Sequence, residues 1–165
     1  MKTLVLIRHA KSSWKEDSLP DAERPLNNRG KRDAPFMGKL LRDRDIVPDL
    51  IISSPAVRAM TTAEYIAAET RYCIENIIAP ASLYLAEPAD ILTVLEAVDD
   101  ALGTVFVVGH NPGISNLAAL LSSTPVEPLP TCGIACLQMP AGSWKDIRRA
   151  QGELVFLERA KSYFR

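Results

Sequence analysis

Apolar positions along the chain follow two periods. Near-continuous apolar runs at Thr3–Ile7, Leu50–Ser53, Thr104–Val108 and Ile134–Met139, with another at Glu153–Glu158, predict β-strands, and Ile74–Ala79 predicts a weaker one. Between them, Met37, Leu40 and Leu41 recur at helical spacing, as do Ile91, Leu95 and Val98, and then Ile114, Leu117, Ala118 and Leu121. Strands separated by helices of roughly 10–15 residues imply an α/β fold, a three-layer α/β/α arrangement with a mostly parallel central sheet. The last two strands have no clear helix between them, so they are expected to form an antiparallel edge. Their connection, MPAGSWKDIRRAQG, is long for a tight hairpin and has room for a helical turn. Pro35 interrupts the helical pattern from Asn27 to Arg44, at a cost of about 3 kcal/mol for an interior proline. It predicts either a helix that starts near Ala34 or one that is kinked.

Composition narrows the class. With 165 residues, 47% hydrophobic and 24% charged, the chain reads as one domain, residues 1–165, with a substantial core. A net charge of −1 offers no general attraction to nucleic acid or to an anionic membrane, so any phosphate site must be a local concentration of cations. No apolar run approaches the roughly 20 residues of a membrane span, and no signal-peptide pattern opens the chain. Three cysteines form no framework, which points to a reducing compartment, by default the cytoplasm. Cys132 and Cys136, if extended, lie about 13 Å apart at roughly 3.3 Å per residue, too far to share a metal, and read as core residues.

Three strands end in chemically loaded segments. The first runs into Arg8-His9, the second into SSPAVR, and Thr104–Val108 into GHNPG, which holds the only other histidine, His110. In a parallel sheet, ligands bind beyond the carboxyl ends of the strands. Ser54 is placed to cap a helix that begins at Pro55, which brings Arg58 to its first turn, where unsatisfied N–H groups and an arginine fork favour an anion. Gly109 and Gly113 allow tight turning beside a ligand. Two histidines and two arginines thus meet at one sheet edge. A neutral imidazole is a competent nucleophile, and neighbouring cations lower its pKa and keep it neutral. Arginines and a second histidine suit a transferring phosphoryl group, whose reaction depends on positioning and electrostatics. This scheme calls for no metal and no cofactor.

RHAKSSW, SSPAVRA and VGHNPG resemble the three signatures of the histidine phosphatase superfamily, in the branch of phosphoglycerate mutases and small phosphatases. With RPLNNRG after the first motif and a compact length, the chain looks most like the SixA-type phosphohistidine phosphatases. The resemblance spans Leu4 to about Leu121 and implies a phosphoglycerate mutase-like fold and a metal-independent hydrolase. It implies that His9 becomes phosphorylated, that Arg8, Arg58 and His110 hold the phosphoryl oxygens, and that Ser12 donates to substrate or phosphate. Ala10 stands where a glycine is common, and Lys15 where relatives carry asparagine. Mutase-like relatives place a glutamate general acid at a position corresponding roughly to Ser82. Glu87 and Asp90 are nearby but off register and, with Lys15, read as solvated surface. Arg24 either reaches the site or pairs with a carboxylate.

A phosphate ester needs a proton on its departing alkoxide, whereas a ring-protonated phosphohistidine leaves as neutral imidazole. The missing acid therefore favours phosphohistidine on a signalling or phosphotransfer protein, such as a histidine-containing phosphotransfer domain. Little chain remains between Arg58 and His110 to build a lid, which suits a protein-borne substrate. The alternatives are a phosphatase for small phosphate esters, a mutase, and a non-catalytic module that binds phosphoproteins.

Overall fold

The computed structural model describes residues 1–164. Its strands are β1 (Lys2–Arg8), β2 (Leu50–Ser53), β3 (Thr104–Gly109), β4 (Ile134–Met139) and β5 (Glu153–Glu158). Its main helices are α1 (Asn28–Asp43), α2 (Val57–Glu69), α3 (Pro88–Glu96) and α4 (Gly113–Leu121). They build one sheet in the order β2-β3-β1-β4-β5. β3 pairs parallel with both β1 and β2, while β4 runs antiparallel to both β1 and β5. Only β4 opposes the common direction, so the sheet is mostly parallel with an antiparallel margin, as the element pattern predicts.

Leu4, Val5, Leu6 and Ile7 of the central β1 are all fully buried, because helices cover both faces of the sheet. Alternate side chains separate into two cores. Val5, Ile7, Ile51, Phe106 and Val108 pack with Met37 and Leu41 of α1 and Ala63 and Ile66 of α2. Leu4, Leu6, Val105 and Val107 pack with Leu95 of α3 and Ile114 and Leu117 of α4. Among the described residues, no helix is long and apolar enough to cross a membrane.

Several local expectations change. Ile74–Ala79 is a 3-10 turn at Ile74–Asn76 followed by a single bridge from Ile78 to Ile52. Ile74 and Ile78 are largely exposed, so this segment lacks the buried face that would hold a strand. α1 starts at Asn28, well before Ala34, and runs through Pro35. Asn27 caps it by accepting the Gly30 N–H at 2.9 Å. The i−4 carbonyl that Pro35 leaves unserved belongs to Lys31, an exposed residue. The β4–β5 connection contains the expected helical turn, a 3-10 helix at Trp144–Arg149, anchored by buried Trp144, whose Nε1–H donates to the Leu102 carbonyl at 2.7 Å. Cys132 lies in a turn before β4 with φ 58°, so it does not share an extended strand with Cys136. Both cysteines are buried in the core, which raises their thiol pKa values.

Two glycines bring the loops of the sheet edge against the helices. A Cβ on Gly30 would stand 2.3 Å from the Lys11 carbonyl oxygen, and one on Gly113 only 1.8 Å from that of Ala86. Neither has a positive φ, so close approach is what requires glycine here. Gly113→Ala must push the start of α4 off the Ala86 segment. It is expected to lower stability by about 3 kcal/mol, the upper end of overpacking costs. A thermal melt would then show a midpoint lower by roughly 6–12 °C.

Candidate active site

The carboxyl ends of β1, β2 and β3 are laced together by the backbone. Arg8 registers opposite Gly109, the His9 N–H donates to the Gly109 carbonyl at 3.0 Å, and the Ser54 N–H donates to that of Val108 at 3.0 Å. Arg8, His9, Arg58 and His110 therefore converge where the strand pattern places them.

His9 is 8% exposed. Its Nδ1 lies 2.8 Å from the Ala10 carbonyl, an acceptor only, so Nδ1 carries the proton and the Nε2 lone pair is free. The Ala10 N–H donates to Thr62 Oγ1 at 3.0 Å, and that hydroxyl donates to the Arg58 carbonyl at 2.7 Å. Buried Thr62 thus ties the histidine loop to the first turn of α2. The imidazoles of His9 and His110 lie 5.2 Å apart, tilted by 59°. Burial, opposed by the Ala10 hydrogen bond and reinforced by Arg58, Arg8 and Arg24, lowers the His9 pKa to about 4. His110 falls to about 3, chiefly through burial and then through His9 and Arg58. Both rings are neutral at physiological pH.

Ser54 does not cap α2. The helix begins at Val57, after an Ala56 whose N–H donates to Ser54 Oγ at 3.2 Å. Ser54 Oγ lies 2.7 Å from His110 Nε2 instead. Arg58 Nη2 can only donate, so His110 Nδ1, 3.4 Å away, accepts from it, and the Nε2–H donates to Ser54 Oγ, which also accepts from the Ala56 N–H. The buried Arg58 guanidinium beside the two imidazoles makes a seat for an anion.

Arg58, 4% exposed, donates through Nη1 to the Asp21 carbonyl at 2.7 Å and through Nη2 to Asp21 Oδ2 at 2.9 Å. Asp21 Oδ1 accepts from Arg24 Nη1 at 3.0 Å, and Oδ2 also accepts from the Tyr84 hydroxyl. The Tyr84 hydroxyl first, and then Arg58 and Arg24, hold the Asp21 carboxyl far below the usual carboxylate range against the opposing effect of burial. The same bond raises Tyr84, whose ring stands edge-on to His110 at 5.6 Å.

Ser12 and Arg24 enter the site as a pair. Arg24 Nη2 donates to Ser12 Oγ, Nε donates to the Ser13 carbonyl at 3.1 Å, and exposed Trp14 lies over the guanidinium at 3.2 Å. Arg8 Nη1 donates to the Leu129 carbonyl at 3.2 Å, while its buried Nε–H has no partner among the described residues. A cavity of about 280 Å³ opens between Arg8, His9, Ser12, Trp14, Arg24 and Arg58. Among the described residues, no three or more His, Cys, Asp or Glu side chains are grouped to hold a metal ion.

Lys15 is exposed and does not line this cavity. Glu87 and Asp90 form the capping box of α3, in which the Glu87 N–H donates to Asp90 Oδ2 at 3.1 Å. Ser82 is exposed on the 3-10 turn Ala81–Leu83. Asp21 and Tyr84 escape sequence reasoning. The i,i+3 spacing of Asp21 and Arg24 hints at their pairing, but nothing local connects either to Arg58 or Tyr84.

The site is thus a buried histidine pair beside two arginines at the carboxyl edge of a mostly parallel α/β sheet. The histidine phosphatase superfamily (branch 1) model matches residues 4–80. An uncharacterised protein of Mycobacterium tuberculosis is 35% identical over 161 residues, 90% of this chain and 96% of its own length. The solved structure of SixA from Nakamurella multipartitia, a candidate phosphohistidine phosphatase, has a TM-score of 0.83 and 26% identity, and covers 96% of this chain and 95% of that one. The protein histidine phosphatase SixA complexed with tungstate shares the fold, with a TM-score of 0.82 over 98% of this chain and 99% of that one at 19% identity. This chain belongs to the histidine phosphatase superfamily, and within it is SixA-like.

Proposed function

We propose that this phosphatase removes the phosphoryl group from phosphohistidine on another protein, through a covalent intermediate on His9. In this reading His9 Nε2 attacks phosphorus, while Arg8, Arg58 and His110 bind the phosphoryl oxygens. The buried Arg8 Nε–H, without a partner among the described residues, and the buried Arg58 guanidinium beside His110 support that assignment. Water then attacks the phosphorylated His9 and releases phosphate. Throughout, the Ala10 carbonyl holds the proton on Nδ1, so His9 departs as neutral imidazole. Ser12 reaches the substrate only with Arg24, which already binds its hydroxyl. The tungstate bound by the structurally similar SixA is an oxyanion, the kind of ligand this seat fits.

One observation carries the substrate class. The carboxyls that sequence position offers as an acid, Glu87 and Asp90, are committed to a helix cap, and Asp21 is kept ionised by three donors. A leaving group must therefore bring its own proton, as a ring-protonated phosphoimidazole does. A positioned acid is worth about 10²–10⁴-fold to an ester. Accordingly, kcat/KM for a histidine-phosphorylated phosphotransfer domain is expected to exceed that for an alkyl phosphate by at least about 10²-fold. Phosphate release from the two substrates in parallel checks this, and comparable turnover of the alkyl ester would overturn it.

A further inference from the structure

Resting on the phosphohistidine reading, we infer that Asp21 selects the substrate by accepting a hydrogen bond from the distal ring N–H of the phosphoimidazole. Asp21 stands beside the phosphoryl seat, since its Oδ2 is 2.9 Å from Arg58 Nη2. Its side chain is 43% exposed, so it is open to a group arriving from solvent. A carboxylate offers about four acceptor directions. Oδ2 uses two, on Arg58 and Tyr84, and Oδ1 uses one, on Arg24, which leaves one direction of a rigidly held group open.

Part of the hold on Arg58 belongs to the Asp21 backbone and does not need the carboxylate. The Asp21 carbonyl accepts from Arg58 Nη1 at 2.7 Å and would do so whatever the side chain. An anion beside a seat for anions opposes phosphate binding unless the substrate brings compensating charge. A phosphoimidazole protonated at its distal nitrogen does so, and a phosphate ester does not. The fixed ionisation of Asp21 suits this part, since it keeps a proton on the substrate ring without taking it.

The step balances. The bond from His9 Nε2 to phosphorus forms as the phosphorus–nitrogen bond of the substrate breaks. The breaking bond's electron pair stays on the substrate nitrogen, and the distal N–H keeps its proton. The substrate ring leaves neutral, and its positive charge passes to the His9 ring. There Nδ1–H rests on the Ala10 carbonyl, so acceptors flank both rings.

Asp21→Asn tests this with a histidine-phosphorylated phosphotransfer domain and p-nitrophenyl phosphate, whose leaving group needs no acid. Opposite signs are expected. Phosphohistidine kcat/KM falls about 10²-fold, while that for the aryl ester rises a few-fold, roughly what loss of one nearby repulsive charge gives. The alkaline limb of kcat on phosphohistidine also moves to lower pH by about one unit, because the ring loses its stabilising anion. Activity on the aryl ester shows that the variant is folded. Parallel loss on both substrates, or no change on phosphohistidine, would overturn the role of Asp21. A wild-type protein inert on phosphohistidine would overturn the substrate reading itself, and this inference with it.

Discussion

Replacing His9 with asparagine is expected to abolish turnover, by on the order of 10⁴-fold or more, since the proposed mechanism routes its covalent step through this ring. Asparagine retains an N–H that can reach the Ala10 carbonyl, so the loss would reflect the missing Nε2 rather than a collapsed loop. Brief reaction of wild-type protein with labelled substrate should trap an acid-labile, base-stable phosphoenzyme that the variant never forms. The same histidine sets two pH dependences. Attack needs the neutral ring, so the acid limb of kcat/KM should fall near pH 4, well below the usual histidine value of about 6.5. Stability has a matching sign. As pH drops below about 6.5 the unfolded chain binds a proton that folded His9 refuses, so stability declines until the pH passes the folded value of about 4. His9→Asn removes that difference and should be less acid-sensitive than wild type, by about 2 kcal/mol at pH 4.5 relative to pH 7.5. Chemical denaturation at the two pH values checks it.

The second large effect is expected at Arg58. Its guanidinium is buried, bonded to His110 and held in plane by two contacts to Asp21, so on the proposed mechanism it would meet the phosphoryl oxygens already oriented. Arg58→Ala should cost about 10²–10³-fold in kcat, the usual result of losing one preorganised donor, with a smaller change in KM. Arg58→Lys keeps the charge but loses the planar fork, and should recover only a minor part of the rate. Steady-state kinetics on the preferred substrate would decide the matter. A rise in KM alone would assign Arg58 to substrate capture rather than to the transition state.

The convergence of Arg8, His9, Arg58 and His110 was legible because each follows the end of an apolar strand, and parallel strands deliver their ends to one edge. Ser54 was legible only as a polar residue at the right place. Its job changed from helix cap to His110 partner because α2 begins two residues beyond Pro55. Glu87 and Asp90 illustrate the reverse case. A short acidic spacing beside a proline looks the same on paper whether it feeds an active site or closes the first turn of a helix.

Asp21 and Tyr84 mark the limit. They lie 63 positions apart, and Asp21 is 37 positions from Arg58. Such contacts have no period and no local signature. By itself, the sequence determined the five strands of the sheet, the existence of the main helices, the mostly parallel order and the four residues at its edge, since these follow from apolar spacing and from which residues terminate each strand. Tertiary structure alone decided that Pro35 lies within a continuous helix, that His9 presents Nε2, and that burial, more than the neighbouring cations, keeps both histidines neutral. It also decided that a single carboxylate is gripped by two arginines and a tyrosine beside them. The physical reason is that periodicity reports burial of one face at a time, whereas ionisation, tautomer and ion pairing depend on groups that meet only when the chain has closed on itself.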